Sequence, residues 1–228
     1  QWVVAYGLKN RSLEGIEALG VDEVAYSKGH KYMTLVYQID EKQKRLIGVL
    51  RKRTKKTLKV FFTDELGADI CSQIKVVCSD MWKPYLKIIA ECLPNALNVL
   101  DRFHIVKKLG EAVDQVRREE TKQLHADGYE PVLSNSRYCF LKRTENLSDK
   151  QHLKLDEVLQ YDLKSVRAYY LKESFDAFWH YDSQQWARWF LKKWCERAMR
   201  SRLEPMKKFV RTLRNHEELL MNYFKAGK

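Results

Sequence analysis

Glycine and proline are scarce in this 228-residue sequence, with only 9 and 4 copies. That scarcity excludes a collagen-like or low-complexity chain. No internal repeat and no Pro- or Gly/Ser-rich linker is visible. Long apolar runs are missing as well: no uncharged stretch approaches the roughly 18 residues that a membrane-spanning helix needs, which implies a soluble protein. The five cysteines, Cys71, Cys78, Cys92, Cys139 and Cys195, are odd in number and form no C-x-x-C pair. Neither a disulfide framework nor a zinc site is therefore expected, and a reducing compartment fits best. The chain opens Gln1-Trp-Val-Val, without Met and without a charged segment followed by an apolar one. We expect a piece of a longer protein and no secretory precursor.

What is present is apolar mass and positive charge. Hydrophobic residues make up 45% and charged residues 32%, enough for one core or a core with an inserted lobe. Lys and Arg number 42 against 30 Asp and Glu, a net charge of +12. An excess of that size suits a polyanionic partner, nucleic acid first and an anionic membrane surface second. The plain alternative is a basic surface that serves solubility alone.

The first half alternates between the two periodicities. Leu19 to Tyr26 is a short apolar run broken by Asp22, and Gly29 is expected to turn the chain. Tyr32–Ile39 is dense in β-branched and aromatic residues, and Arg45–Leu50 returns after the polar turn 40–44, predicting a three-stranded meander. Over 54–73 the period changes: Leu58, Phe61, Phe62, Leu66 and Ile70 recur at helical spacing behind Thr54, a natural N-cap. Lys75–Asp80 then reads as a strand, 82–92 as a helix with Pro84 in its first turn, and Asn98–Asp101 as a last strand. A longer helix follows, with Phe103, Val106, Leu109, Val113 and Val116 on one face. The order β-β-β-α-β-α-β-α predicts a mixed sheet flanked by helices.

From about residue 127 the strand signal stops. Residues 127–148 read as an irregular connection, and Ser148-Asp149 opens a helix. A stripe from Phe175 through Phe178, Trp179, Trp186, Trp189 and Phe190 to Trp194 reads as helical core, with base stacking as the lesser alternative. Residues 198–224 are expected to form a third helix, apolar on one side and basic on the other.

Acids fall at strand ends. Asp22 interrupts the first strand and Asp80 closes the fourth. A carboxylate at a buried strand end is costly unless it is paired or binds a cation. If the first and fourth strands are neighbours, the two aspartates are placed to share divalent metal, and two hard cations about 3.5–4 Å apart are the apparatus for in-line displacement at phosphorus. The competing reading makes Asp22 a bulge residue and Asp80 a helix cap. Asp101-Arg-Phe-His104 is a third polar cluster, in which Asp101 can cap the next helix and His104 can bond to it or to the sheet.

Gly20-Val-Asp22-Glu-Val-Ala-Tyr-Ser-Lys-Gly29-His30, Ser79-Asp80-Met-Trp82-Lys-Pro-Tyr85, Leu93-Pro-Asn-Ala96, Asp101-Arg-Phe-His104 and Ser201-Arg-Leu-Glu-Pro-Met206 occur in this order, followed by Leu213-Arg-Asn-His216 and Asn222-Tyr-Phe224. Together they resemble the DDE domain of the ISL3 family of insertion-sequence transposases over nearly the whole chain. The resemblance implies an α/β, RNase H-like five-stranded mixed sheet with flanking helices, plus an all-helical insertion. Residues 1–126 would be the catalytic core and 127–228 the insertion. It implies DNA strand cleavage and joining with Mg²⁺ or Mn²⁺, acting on insertion-sequence ends and target DNA in a bacterial cytoplasm at the nucleoid, with a homo-oligomer possible and no membrane partner. Asp22 and Asp80 match the family's first two catalytic, metal-holding acids, and Asp101 and His104 its supporting D-x-F-H element. The third acid of the family lies in an N-x-x-x-E-G-x-N motif that is not found before Lys228. Impaired activity of this chain alone is therefore expected. Glu196 and Glu204 are poor substitutes, because both fall among residues of the helical lobe. The alternative is a non-catalytic basic DNA-binding module on an RNase H-like scaffold.

The cations cluster where DNA is expected to lie. Arg53, Lys55 and Lys56 flank the first long helix, and Lys107 and Lys108 follow Asp101. Arg200, Lys207, Arg211 and Arg214 recur at intervals of 7, 4 and 3, a stripe able to neutralise successive phosphates. Its alternative is a solvated face paired with Glu204 and Glu217.

Overall fold

The computed structural model describes residues 6–7, 12–27 and 31–227. Gly29, expected to turn the chain after the first strand, and His30 lie outside the described residues. Packing divides the chain into a unit comprising residues 1–101 with 225–228, and a second comprising Arg102–Phe224. Among the described residues no helix is long and apolar enough to cross a membrane.

The first unit is built on strands β1 (Ala18–Ser27), β2 (Lys31–Asp40), β3 (Gln43–Leu50), β4 (Val76–Ser79) and β5 (Leu97–Leu100), in the sheet order β3-β2-β1-β4-β5. The three hairpin-linked strands run antiparallel, whereas β4 and β5 join parallel to β1 and to each other through helical crossovers. This is the RNase H-like arrangement that the resemblance implies. Alternation explains which face is covered. Leu19, Val21, Val36 and Val77 point to one side and are at most 4% exposed, packed with Leu58, Phe61, Phe62, Leu66, Ile74, Tyr85, Ile88 and Ile89.

Between β3 and β4 runs a helical segment. It begins as α1 (Lys55–Val60), capped by Thr54, whose hydroxyl accepts the Thr57 N–H at 3.1 Å. The sequence reads 54–73 as one helix, but the structure interrupts it with a π-helical turn over Phe61–Leu66 before α2 (Gly67–Gln73). The wider turn lets the adjacent Phe61 and Phe62 both reach the core, which a regular α-helix would direct about 100° apart. Helix α3 (Lys83–Cys92), with Pro84 in its first turn, links β4 to β5.

The second unit is helical: α4 (Arg102–Ala126), α5 (Arg137–Leu141), α6 (Asp149–Leu159), α7 (Lys164–Phe175), a 3₁₀ turn (Asp176–His180), α8 (Gln184–Arg200), α9 (Glu204–Asn215) and α10 (Glu217–Lys225), whose last residue clusters with the first unit. Packing thus divides the chain at Asp101–Arg102, whereas the sequence reading divides it where strand signal ends. The buried face of α4, including Ile105, Leu109, Val113 and Val116, is part of this unit. Ser148 and Gln151 form a capping box at the head of α6. The buried Glu120 caps α7 from 44 residues away, accepting the Lys164 and Ser165 N–H groups at 2.7 Å each.

Two expectations for this unit are corrected. The aromatic stripe is not all core: Phe175, Phe178, Trp179 and Trp194 are at most 3% exposed, while Trp186 and Trp189 are 60% and 51% exposed. The chain breaks between the 3₁₀ turn and α8, so the sequence spacing does not keep these rings on one continuous helix face. The single helix expected over 198–224 is three pieces, broken at Ser201–Leu203, where Arg202 adopts φ 61°, and again at His216. Pro205 lacks the N–H that a continuing helix would donate to the Ser201 carbonyl.

Gly48 sits where a Cβ would overlap the Phe61 ring. We expect Gly48→Ala to lower stability by about 1–3 kcal/mol in urea unfolding, with Phe61→Leu in the same chain recovering part of the loss.

Candidate active site

Asp80 and Asp101 directly follow the ends of β4 and β5, and Asp22 lies within β1 beside them. Val21 pairs with Ser79, and Ser79 with Leu100. Asp22, Asp80 and Asp101 therefore occupy the next rung of one parallel ladder, where backbones lie about 4.8 Å apart. The rung is bonded on its far side, since the Asp101 N–H donates to the Ser79 carbonyl at 2.8 Å. Parallel pairing is what permits this, because it brings like ends of the strands together.

Local hydrogen bonds orient the first two acids. Asp22 Oδ1 accepts the N–H of Glu23 at 2.7 Å. Asp80 Oδ1 accepts the N–H of Trp82 at 2.8 Å, which occupies one of its two oxygens. The N-cap of the following helix is Trp82, so the capping alternative for Asp80 is not what the structure shows. Asp80 Oδ2 faces Arg53 Nη2 at 3.8 Å. Arg53, expected among the DNA contacts, is held by Glu23 and Asp80. Its Nε is ion-paired with Glu23, and its guanidinium lies over the Trp82 ring at 4.3 Å and the Tyr32 ring at 5.6 Å. The Trp82 ring in turn meets Tyr85 edge-on at 4.5 Å, and the Tyr85 hydroxyl is hydrogen-bonded to Thr34. Arg53 thus stands in an aromatic cradle between two carboxylates.

The electrostatics show which groups share a neighbourhood. Burial raises the Glu23 carboxyl above its ordinary range; Arg53 opposes this, and Asp80 and Asp22 add to it. Burial also pushes the Cys78 thiol up to about 12, with Asp101 and Asp22 contributing. Tyr37 is raised by burial and then by Asp22, Cys78 and Asp101. Asp22 is common to both sets, with Asp80 on the Arg53 side and Asp101 on the Cys78 side. Room beneath Tyr37 comes from Gly20, since a Cβ there would overlap the ring. Neither Glu23 nor Tyr37 was singled out from the sequence. The available signal was strand alternation: Glu23 must face away from Asp22, and Gly20 must share its side.

Among the described residues no group of three or more His, Cys, Asp or Glu side chains converges as a metal cage. Carboxylates are hard-oxygen donors of the kind Mg²⁺ accepts, with water and substrate oxygens filling the other positions. His104 lies in the first turn of α4, half-buried, with its ring 5.5 Å from that of Phe103.

The remaining expected DNA contacts are distributed over several helices. Lys55 and Lys56 are exposed at the start of α1, and Lys107 and Lys108 are exposed on α4. The stripe from 200 to 214 is not one helix face, because Arg200 ends α8 whereas Lys207, Arg211 and Arg214 lie on α9. Part of it is also internally paired: Glu204 holds Arg211 at 2.9 Å and Lys207 at 3.7 Å, and Arg214 hydrogen-bonds to Cys195. Glu196 is paired with Lys193 at 3.5 Å.

The profile of the ISL3 family, described as transposase, matches residues 19–227. The chain is similar to the transposase for insertion sequence element IS1001 of Bordetella parapertussis, 32% identical over 203 residues that cover 88% of this chain and 49% of that protein. It is similar too to the transposase for insertion sequence element IS1557 of two Mycobacterium tuberculosis strains, 28% identical over 223 residues with the same coverage. The chain spans about half the length of the curated relatives it matches.

The raised Glu23 carboxyl makes a pH prediction. A carboxyl whose folded pKa exceeds its unfolded value favours folding while protonated, and that contribution is lost as pH rises through the folded value. Relative to Glu23→Gln, the wild type should therefore lose stability as pH climbs from below 4.5 into the range above it. Paired urea titrations across that window check the sign.

Proposed function

The chain belongs to the ISL3 family of DDE transposases, and on that basis we propose that it carries the first two acids of a metal-dependent site for DNA strand cleavage and strand transfer. The observation that carries this reading is the level of Asp22 and Asp80, one residue beyond the Val21–Ser79 pair of the neighbouring strands β1 and β4. In this reading residues 1–126 form the catalytic core and 127–228 the helical insertion.

Asp22 and Asp80 would hold Mg²⁺ or Mn²⁺. When bound, such a cation polarises the phosphodiester and makes water or a 3′-hydroxyl a stronger nucleophile at neutral pH. The chain's own residues supply the preorganisation. The Glu23 and Trp82 N–H groups hold the two carboxylates in one orientation, so little reorganisation is needed as charge develops. Arg53 keeps a positive charge 3.8 Å from Asp80. Asp101 adds a further negative charge next to Asp80 on the same rung, a supporting role, and His104 is assigned to the same D-x-F-H element.

Lys55, Lys56, Lys107, Lys108, Arg200, Lys207, Arg211 and Arg214 would contact the phosphates of insertion-sequence ends and target DNA. Pairing two element ends favours a multimer, and DNA as substrate favours the bacterial cytoplasm and nucleoid. Two aspartates without a third hard ligand hold a cation weakly, so the 228-residue chain alone should be a poor nuclease.

Mn²⁺ titration tests the site directly. At 100 times its Kd the ion should stabilise the chain by about 2.7 kcal/mol, and Asp22→Asn or Asp80→Asn should abolish the effect along with any nicking of supercoiled plasmid. A chain whose thermal stability ignores Mn²⁺ is the basic DNA-binding module instead.

Phosphate contact is tested separately by salt. If Lys55 and Lys56 each neutralise one phosphate, changing both to Gln should make the slope of log K for duplex DNA against log salt shallower by about 1.8. An unchanged slope removes them from the interface.

A further inference from the structure

The outer face of α8 joins two features that the site on the sheet does not use. At 100° per residue, Trp186, Trp189, Lys193, Glu196, Arg197 and Arg200 fall within an arc of about 100°, opposite the buried Ala187, Leu191, Trp194 and Ala198. The amino-terminal end of this stripe is aromatic. Trp186 and Trp189 are more than half exposed, with ring centroids 6.1 Å apart and planes at 80°. Its carboxy-terminal end is basic and forms one wall of an open groove of about 670 Å³ between α7 and α8, to which α7 contributes Arg167 and Tyr170. Four cations, Arg167, Lys193, Arg197 and Arg200, face this groove against the single acid Glu196. Arg197 is tied down by its hydrogen bond to Ser174, and Tyr170 is 55% exposed.

We propose that this groove and the tryptophan pair above it bind single-stranded DNA, with the backbone in the groove and unstacked bases on Trp186 and Trp189. The proposal rests on the reading of the chain as a DNA-processing enzyme and names a second contact for that substrate. Charge complementarity selects a polyanion, since an acidic or apolar protein segment would leave either the rings or the cations unmatched. The exposed rings then select among polyanions. A duplex keeps its base faces inside the stack, whereas a single strand offers a π-face at every base, and aromatic stacking with a cationic track is how such strands are held without sequence preference. The faces of large exposed rings add nothing to duplex phosphate contact, which is made by hydrogen-bond donors and cations.

The test uses the 228-residue chain without divalent metal, so that binding is read apart from cleavage. Fluorescence anisotropy is measured with a labelled 20-nucleotide strand and with the same sequence as duplex. Trp186→Ala with Trp189→Ala should weaken single-strand binding about tenfold or more and leave duplex binding within about twofold. Lys193→Gln with Arg200→Gln should make the single-strand salt slope shallower by about 1.4. Unchanged single-strand affinity in the tryptophan double variant overturns the proposal, as does equal loss for strand and duplex. So does a shift in sedimentation of that variant without a change in DNA binding, which would identify the face as a contact between copies. Circular dichroism confirms that each variant is folded, and Trp189→Phe should retain most of the affinity if the ring is a stacking surface. Asp22→Asn is expected to keep this binding in full, so failure of the metal site and failure of the groove are separately visible.

Discussion

The parallel pairing of β1 with β4 is the constraint on which the rest depends. Its register, Val21 opposite Ser79, is held by the hydrophobic face, because Leu19, Val21 and Val77 must all enter the core under α1 to α3. A slip of one residue would turn that face outward and reverse every side chain on the strand. The same register sets Asp22 and Asp80 at one level of two neighbouring strands. The core therefore specifies the level of the acids along their strands.

Bringing carboxylates together carries an electrostatic cost. Two charges about 5 Å apart, roughly the spacing of neighbouring strands, would repel by about 3 kcal/mol at an effective dielectric of 20. The fold offsets part of this with Arg53, fixed by stacking on Trp82 and by its pairing with Glu23, and with backbone N–H groups aimed at both aspartates. The aromatic cradle explains why an arginine stands here. A guanidinium can stack and pair in one plane, whereas a lysine ammonium cannot. The raised Glu23 carboxyl marks the strain that remains, since burial and its acidic neighbours outweigh the help from Arg53.

The helical unit follows a different logic. Its core is a cluster of rings, with Phe175 meeting Trp194 at 4.8 Å and Phe209 at 5.8 Å. Non-directional packing of this kind fixes which residues are inside but leaves the outer faces of the helices open to other uses. On α9 the outer charges are partly neutralised by Glu204, which lowers their value as phosphate contacts. On α8 the cations lie in a groove beside exposed rings. Similar numbers of basic residues thus present different surfaces according to their neighbours.

Much of the sheet was legible in the sequence because its signals are local. Alternating β-branched residues mark β2, polar turns mark the hairpins, and acids punctuate β1 and β4; Thr54 and Ser148 cap helices as their chemistry suggests. The order of motifs identified the family. What depends on distance along the chain was not legible: that Arg53 answers Glu23 and Asp80, that Glu120 caps a helix 44 residues away, and that Trp186 and Trp189 point outward while Trp194 points in. Composition and periodicity determined that there would be a mixed sheet, a helical lobe and acids at strand ends. Only tertiary packing decided which charges pair and which rings stay exposed, because those outcomes depend on where other elements lie, and no spacing within one element encodes that.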